Sequence, residues 1–382
     1  MEANLNNRLA QFLAQRAAQD NLRSLKNFNG LIDFSSNDYL GFSRSAWIHQ
    51  HVNEEIKYYQ HVPKGATGSR LLNGQNKQID DLENQIAKFH NGESATLFNS
   101  GFDANMGLIS TIAQKGDLIF YDELIHASLN TGIKLSKATA ISFRHNDLKD
   151  LECNLPTHQS GQIFVLVESI YSMEGDYLPL KEFCLFCEQK NINLILDEAH
   201  ALGVLGKKGR GMANLEGVED KIFARVYTFG KALGAHGAAV VGSNLLKKYL
   251  VNFCKPFIYS TALDLNSILS IKWGYNFLLY NDIQLIKLTK LNNYLNEIFI
   301  TNQTSFKMVG KGPIFGIYCS SNQEAKSLSS YLIQCGMDIR PILYPTVPKG
   351  QERLRFIIHS YNTNEEIDLF LNKLNNHINN HK

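Results

Sequence analysis

Thr228-Phe229-Gly230-Lys231-Ala232-Leu233-Gly234 sets a lysine between two glycines, directly after an apolar run, Ile222 to Tyr227, that reads as a buried strand. Gly230 and Gly234 allow a tight turn and a close approach of the backbone to a ligand. A lysine at such a place can reach inward and form a Schiff base with an aldehyde. The plainer reading is a solvated loop lysine, since lysines are mostly exposed.

A second stretch upstream tips the balance. Asn191-Ile192-Asn193-Leu194-Ile195-Leu196-Asp197-Glu198-Ala199-His200 ends an apolar strand in an acid, with a histidine three residues on. In open α/β sheets, ligands bind outside the carboxyl ends of the strands. Asp197, His200 and Lys231 therefore gather where a cofactor would lie. An aspartate that keeps a pyridine nitrogen protonated and a lysine that supplies an imine are the partners expected of pyridoxal 5'-phosphate, PLP. Asp197 to His200 also spells a helicase box, but that reading needs a G-x-x-x-x-G-K-[ST] phosphate loop. Ala201 precedes Gly206-Lys207 where the first glycine should stand, and Arg225 precedes Gly230-Lys231.

The chain has 382 residues, 44% of them hydrophobic and 19% charged, enough for a large core and two domains. A net charge of +2 argues for neither nucleic acid nor an anionic membrane surface. Six cysteines are scattered, and Cys184 and Cys187 read as one helix face with no second CxxC or histidine pair beside them. No metal site is expected. Met1 to Asp20 is polar and amphipathic, unlike a signal peptide or a membrane span, so the expected location is cytoplasmic.

Working outward, Leu5 to Leu25 reads as one helix with Leu9, Phe12, Leu13 and Ala17 on its apolar face. Arg16 and Arg23 are solvated, or await an acidic substrate. Asn37 and Asp38 follow a short strand in a polar turn, and Gly65 to Gly74 is a glycine-rich loop. After the strand Ser94 to Phe98, Ser100-Gly101-Phe102 opens a helix, a place where free N–H groups favour an anion. His126 stands at a strand end, where a lone histidine is ordinarily structural unless a planar ring lies nearby. Strands ending at Tyr121, Phe143, Glu168, Asp197 and Tyr227 alternate with helices and predict a doubly wound, mostly parallel sheet. Leu263 to Ile298 reads as one long helix leading to a smaller C-terminal α/β domain. The expected divisions are an N-terminal segment 1–42, a large domain 43–280 and a small domain 281–382. In Arg353-Leu354-Arg355 the two arginines share a strand face, and one could clamp a carboxylate.

Along nearly its whole length the chain resembles the α-oxoamine synthases, a branch of the fold-type-I PLP enzymes. The resemblance is carried by Ser36-Asn37-Asp38-Tyr39-Leu40-Gly41, Gly68-Ser69-Arg70, Asn99 to Asn105, Asp122 to Ser128, Ser172-Met173-Glu174-Gly175-Asp176, Asp197 to His200, Gly206 to Gly211, Thr228 to Gly234 and Pro345-Thr346-Val347-Pro348. Gly237 to Val240 and Phe257 to Ala262 resemble the biotin-pathway branch, which joins L-alanine to a pimeloyl thioester carried on coenzyme A or a carrier protein. Sister branches with another amino acid or acyl chain share most of these motifs. A catalytically silent scaffold would be expected to lose Lys231 or its partners.

The resemblance implies roles residue by residue. Lys231 would hold PLP covalently, Asp197 would pair with its pyridine nitrogen, and His126 would stack on the ring face. His200 and Ser172 would meet the ring hydroxyl. Gly101 and Phe102 would give backbone N–H groups to the phosphate, with the Thr228 hydroxyl. Ser260 and Thr261 would reach the phosphate of a partner subunit, making a homodimer part of the site. Arg355 would bind the alanine carboxylate, and Asn37, Thr346 and Arg23 would face the substrates. The freed Lys231 amine would remove the alanine Cα proton before a decarboxylative condensation. Ile79 departs from the family, whose members mostly carry histidine there.

Overall fold

A computed structural model describes residues 4–25, 27, 30–158, 160–301 and 306–379. Among them, seven strands make the large sheet, in the order Ser94–Phe98, Ala238–Gly242, Ala224–Thr228, Asn193–Asp197, Ile163–Glu168, Leu118–Asp122 and Thr139–Phe143. Ala238–Gly242 runs antiparallel to both neighbours, and every other adjacent pair is parallel.

A parallel strand needs cover on both faces, so it reads as an unbroken apolar run. Phe164, Val165, Leu166 and Val167 are all buried. Side chains alternate across the sheet. Phe164, Leu166, Ile195, Val226 and Val240 pack with Leu108 and Ile109 of the helix Gly101–Ile112 and Leu129 of Ala127–Leu135. Burying a leucine of this kind contributes about 2 kcal/mol. On the opposite face, Phe183 of the helix Leu180–Gln189 lies 6.0 Å from Phe143. His90, capping the helix Lys77–Phe89, stacks on Tyr227 at 3.6 Å on that same face. The chain is thus an α/β protein with helices on both faces of a mostly parallel sheet. Cys184 and Cys187 sit on the buried side of Leu180–Gln189, where burial pushes both thiols up to about 12.

The chain divides into two compact units. The larger comprises Asn37–Ser172 and Asp176–Leu288 and holds the seven-stranded sheet. The other comprises the described residues of Met1–Ser36, Met173–Gly175 and Thr289–Lys382. Its antiparallel sheet has the order Arg340–Ile342, Arg353–Ile357, Ile314–Tyr318, Met308–Val309. Its parallel pair joins Ile32–Asp33 to Met337–Asp338, so the N-terminal strand belongs with C-terminal residues.

Two helices differ from the sequence reading. The first ends at Ala18, and Asp20 turns away with a left-handed φ of 56°. Leu5, Leu9, Phe12 and Leu13 on its apolar side are exposed. The expected helix from Leu263 to Ile298 is two helices, Leu265–Tyr280 and Ile283–Thr301. Asn281 is extended, and its Oδ1 accepts from Ile283 N at 2.9 Å, which ends one helix and starts the next.

Candidate active site

The register of the large sheet decides what meets at its carboxyl edge. Glu168 pairs with Asp197, so the two side chains emerge beside each other on the face covered by the helix Gly101–Ile112. Thr228, two residues beyond Val226, shares that face.

Asp197 is buried and doubly held. Ala199 N donates to Oδ1 at 2.8 Å, and Asn105 Nδ2 donates to Oδ2 at 2.6 Å. Asn105 Nδ2 also donates to Ser128 Oγ at 3.0 Å. Ser128 Oγ stands 2.7 Å from His126 Nδ1, which accepts from Ser128 N at 3.2 Å. A ring nitrogen that accepts carries no proton, so the other nitrogen holds it and the imidazole is neutral. The pKa of His126 agrees. Desolvation lowers it, outweighing the pull of the Asp197 carboxylate, and the Lys231 ammonium lowers it further. The charges of Asp197 and Lys231 therefore both reach the His126 ring.

Glu168 is buried beside Asp197. Burial, with the neighbouring Asp197 charge, raises its pKa well above the usual carboxylate range. Its Oε1 accepts from His126 N, which fixes the backbone at the start of the helix Ala127–Leu135. His200 is buried too, with Tyr39 Oη 2.5 Å from its Nδ1; the same hydroxyl lies 3.3 Å from Asn37 Oδ1.

The lysine loop is shaped by its glycines. Gly234 N donates to Lys231 O at 2.9 Å. Gly234 has φ 56°, and a Cβ there would fall 2.2 Å from Ser43 N, so no other residue fits without displacing backbone.

The helix Gly101–Ile112 starts beside Thr228. A Cβ built on Gly101 would lie 2.2 Å from Thr228 Oγ1. Ser100 caps the helix by accepting from Asp103 N at 3.0 Å, leaving the first-turn amides of Gly101 and Phe102 toward the helix end. A hydroxyl, free amides and a glycine that admits nothing larger make a cradle suited to a phosphate. With Asp197 at the strand end and Lys231 on the next loop, these residues fit PLP. Asn99 Nδ2 donates to Thr261 O at 2.8 Å, and Ser69 bridges Thr261 in an antiparallel contact. Ser260 and Thr261 thus sit next to the strand that precedes the cradle. Ile79 is buried among Arg70, Leu97 and Phe257 in the same region.

Asn37, Gly101, Phe102, His126, Ser172, Asp197, His200, Thr228, Lys231, Ser260 and Thr261 all belong to the larger unit. Arg23, Thr346 and Arg355 belong to the other. There, Arg23 Nη2 donates to Thr346 Oγ1 at 3.4 Å. The two strand arginines differ in burial. Arg353 is fully buried and engaged by Glu174 at 3.2 Å, the Met173 carbonyl at 3.0 Å and the Tyr318 ring at 4.8 Å. Arg355 is half-buried.

Asn105, Ser128, Tyr39 and Glu168 were not singled out from the sequence, although each lies in or beside a quoted motif. Asn105 was visible only as a polar residue on the apolar side of a helix, one turn after Gly101. Among the described residues, no helix is long and apolar enough to cross a membrane.

Known proteins match this picture. The sequence model of the aminotransferase class I and II family covers residues 29–374. An 8-amino-7-oxononanoate synthase from Emericella nidulans is 38% identical over 360 residues, covering 88% of this chain and 87% of that protein. The crystal structure of 8-amino-7-oxononanoate synthase from Francisella tularensis superposes with a TM-score of 0.79 at 29% identity, covering 92% of this chain and 99% of that one. Serine palmitoyltransferase from Sphingomonas wittichii shares the fold, with a TM-score of 0.88 at 24% identity over 98% of each chain. The chain belongs to the class I and II aminotransferase family, in its α-oxoamine synthase branch.

Proposed function

We propose that the chain is a PLP-dependent 8-amino-7-oxononanoate synthase, condensing L-alanine with a pimeloyl thioester in biotin biosynthesis. The observation that carries this reading is the buried Asp197, held by Asn105 and Ala199 at the sheet edge, with its charge and that of Lys231 both reaching His126. Identity of 38% to a synthase of that name, over most of both chains, supports the choice of branch.

PLP, when bound, supplies an electron sink for negative charge at the amino acid's Cα. Asp197 holds a proton on the pyridine nitrogen, which a buried, hydrogen-bonded carboxylate does well. His126, neutral and fixed through Ser128 and Glu168, presents its ring face. His200 and Ser172 meet the ring hydroxyl. Gly101, Phe102 and Thr228 bind the phosphate, and Ser260 and Thr261 do so across a homodimer. Arg355 grips the alanine carboxylate, while Asn37, Thr346 and Arg23 face the substrates. Lys231 takes the proton from Cα. The net reaction joins the alanine Cα to the thioester carbonyl carbon, releases the thiol of coenzyme A or an acyl-carrier protein, and loses carbon dioxide.

Product mass decides the assignment. Incubation with PLP, pimeloyl thioester and either L-alanine or glycine should give a decarboxylated aminoketone chiefly from alanine. Product formed mainly from glycine or serine, or with another acyl donor, would move the enzyme to a sister branch.

A further inference from the structure

His145 takes no part in the site as described, yet it joins two segments that do. Its Nδ1 faces the Asp122 carboxylate at 3.0 and 3.1 Å, and its Nε2 faces Asp176 Oδ2 at 2.8 Å. Two carboxylates on the two ring nitrogens require both to carry hydrogen, so the ring is an imidazolium. Asn146 doubles each link. Its N donates to Asp122 Oδ2 at 2.8 Å and its Nδ2 to Asp176 Oδ2 at 3.1 Å. Asn146 has φ 55°, a left-handed conformation that asparagine tolerates better than most residues.

Each aspartate organises one segment. Asp122 is fully buried at the end of its strand. Its Oδ1 accepts from Leu124 N at 2.9 Å and its carbonyl from Ile125 N at 3.2 Å, which shapes the turn that delivers His126. Asp176 closes the other segment. Its carbonyl accepts from Tyr171 N at 3.2 Å, Ile170 bridges Tyr177, and Leu178 N donates to Ser169 O at 3.1 Å. Ser172 follows Tyr171, whose buried ring meets the His145 ring edge-on at 4.4 Å. By strand alternation Asp122 points away from Glu168 and Asp197, so this clamp lies on the far face of the sheet edge from the pocket.

We infer that His145 is a positioning residue: it ties the turn leading to His126 to the segment carrying Ser172, so that one imidazolium sets both contacts to the cofactor ring. The inference rests on the PLP reading for the roles of His126 and Ser172. Misplacing a group by about 1 Å is enough to cost roughly a hundredfold in rate.

The test is His145→Gln, which can donate to one carboxylate but not to both. Hydrogen exchange of the holoenzyme should accelerate about tenfold in peptides covering 122–126 and 169–178 together. The PLP dissociation constant should rise about tenfold and kcat should fall, with KM for alanine within about twofold. Faster exchange at His145 alone, with unchanged PLP affinity, would overturn the inference. Should that variant fail to fold, Asp176→Asn isolates one link. The 169–178 peptides should loosen and PLP affinity should drop while 122–126 stays protected; no change in either segment would overturn it. Wild-type protein without Lys231-dependent visible absorbance in PLP would overturn the cofactor reading instead, and the paired exchange response would still decide whether the clamp exists.

Discussion

Asn105 Nδ2 donates to Asp197 Oδ2 across 2.6 Å, from the second turn of a helix to the last residue of a strand. Both side chains are buried. Asn105→Leu removes a donor from a buried carboxylate, and such bonds to charged groups are worth about 2 kcal/mol. Urea unfolding should show a loss of that order, and turnover should drop as Asp197 turns away. A loss under about 0.5 kcal/mol, as for an ordinary surface change, would contradict the assigned role.

Lys231→Ala should abolish turnover and the visible absorbance of bound PLP. Measurable turnover without added amine would sink the lysine's role. Asp197→Asn should still bind PLP but react far more slowly, because an amide does not hold the ring nitrogen protonated. An unchanged rate would contradict the electron-sink account.

Gly101→Ala would place a methyl 2.2 Å from Thr228 Oγ1. Overpacking of this kind costs about 1–3 kcal/mol, which corresponds to roughly a 5- to 150-fold loss of PLP affinity if it falls on the cradle. Thr228→Ala in the same chain should recover stability measured by urea but not phosphate binding. Equal affinity of Gly101→Ala and wild type would show that the phosphate lies elsewhere.

His145 gives a pH signature. Burial opposes its charge, but hydrogen bonds to Asp122 and Asp176 prevail and raise its pKa to about 10. A pKa raised on folding adds stability that is complete below the unfolded value, about 6.5, and is lost as pH rises through about 10. Tyr171 against the ring stays neutral in that range, because burial lifts its pKa well above the ordinary phenol value. The urea midpoint of wild type should therefore exceed that of His145→Gln by most near pH 6, roughly, and the gap should shrink toward pH 10. A constant gap would mean that the ring's charge contributes nothing.

Arg353 and Arg355 should separate stability from binding. Arg353→Met removes the fully buried partner of Glu174 together with its bonds to the Met173 and Gln351 carbonyls, and should cost about 3 kcal/mol on unfolding. Arg355→Ala should raise KM for alanine and cost less stability than Arg353→Met, since Arg355 is only half-buried. The reverse pattern would exchange their roles.

The class of fold was legible because its signals are local. Apolar runs ending in Asp197 and Glu168, alternating with helical periodicity, already imply strands that share a carboxyl edge. A lysine between glycines after one such run, and an acid at the end of another, already imply the chemistry. The helix ends at Ala18 and Tyr280 were not legible, since a single left-handed residue such as Asp20 or an extended one such as Asn281 breaks a helix without disturbing the pattern on either side.

What the sequence determined by itself is therefore the α/β architecture and the residue types that suit PLP, because periodicity and motif spacing are properties of neighbouring residues. Tertiary structure alone decided the partners. It placed Asn105 on Asp197, Glu168 on the His126 amide and Tyr39 on His200, at separations of 92, 42 and 161 residues. It also committed Arg353 to Glu174, 179 residues away. Such pairs depend on strand register and helix packing, in which a one-residue slip would turn each side chain to the other face.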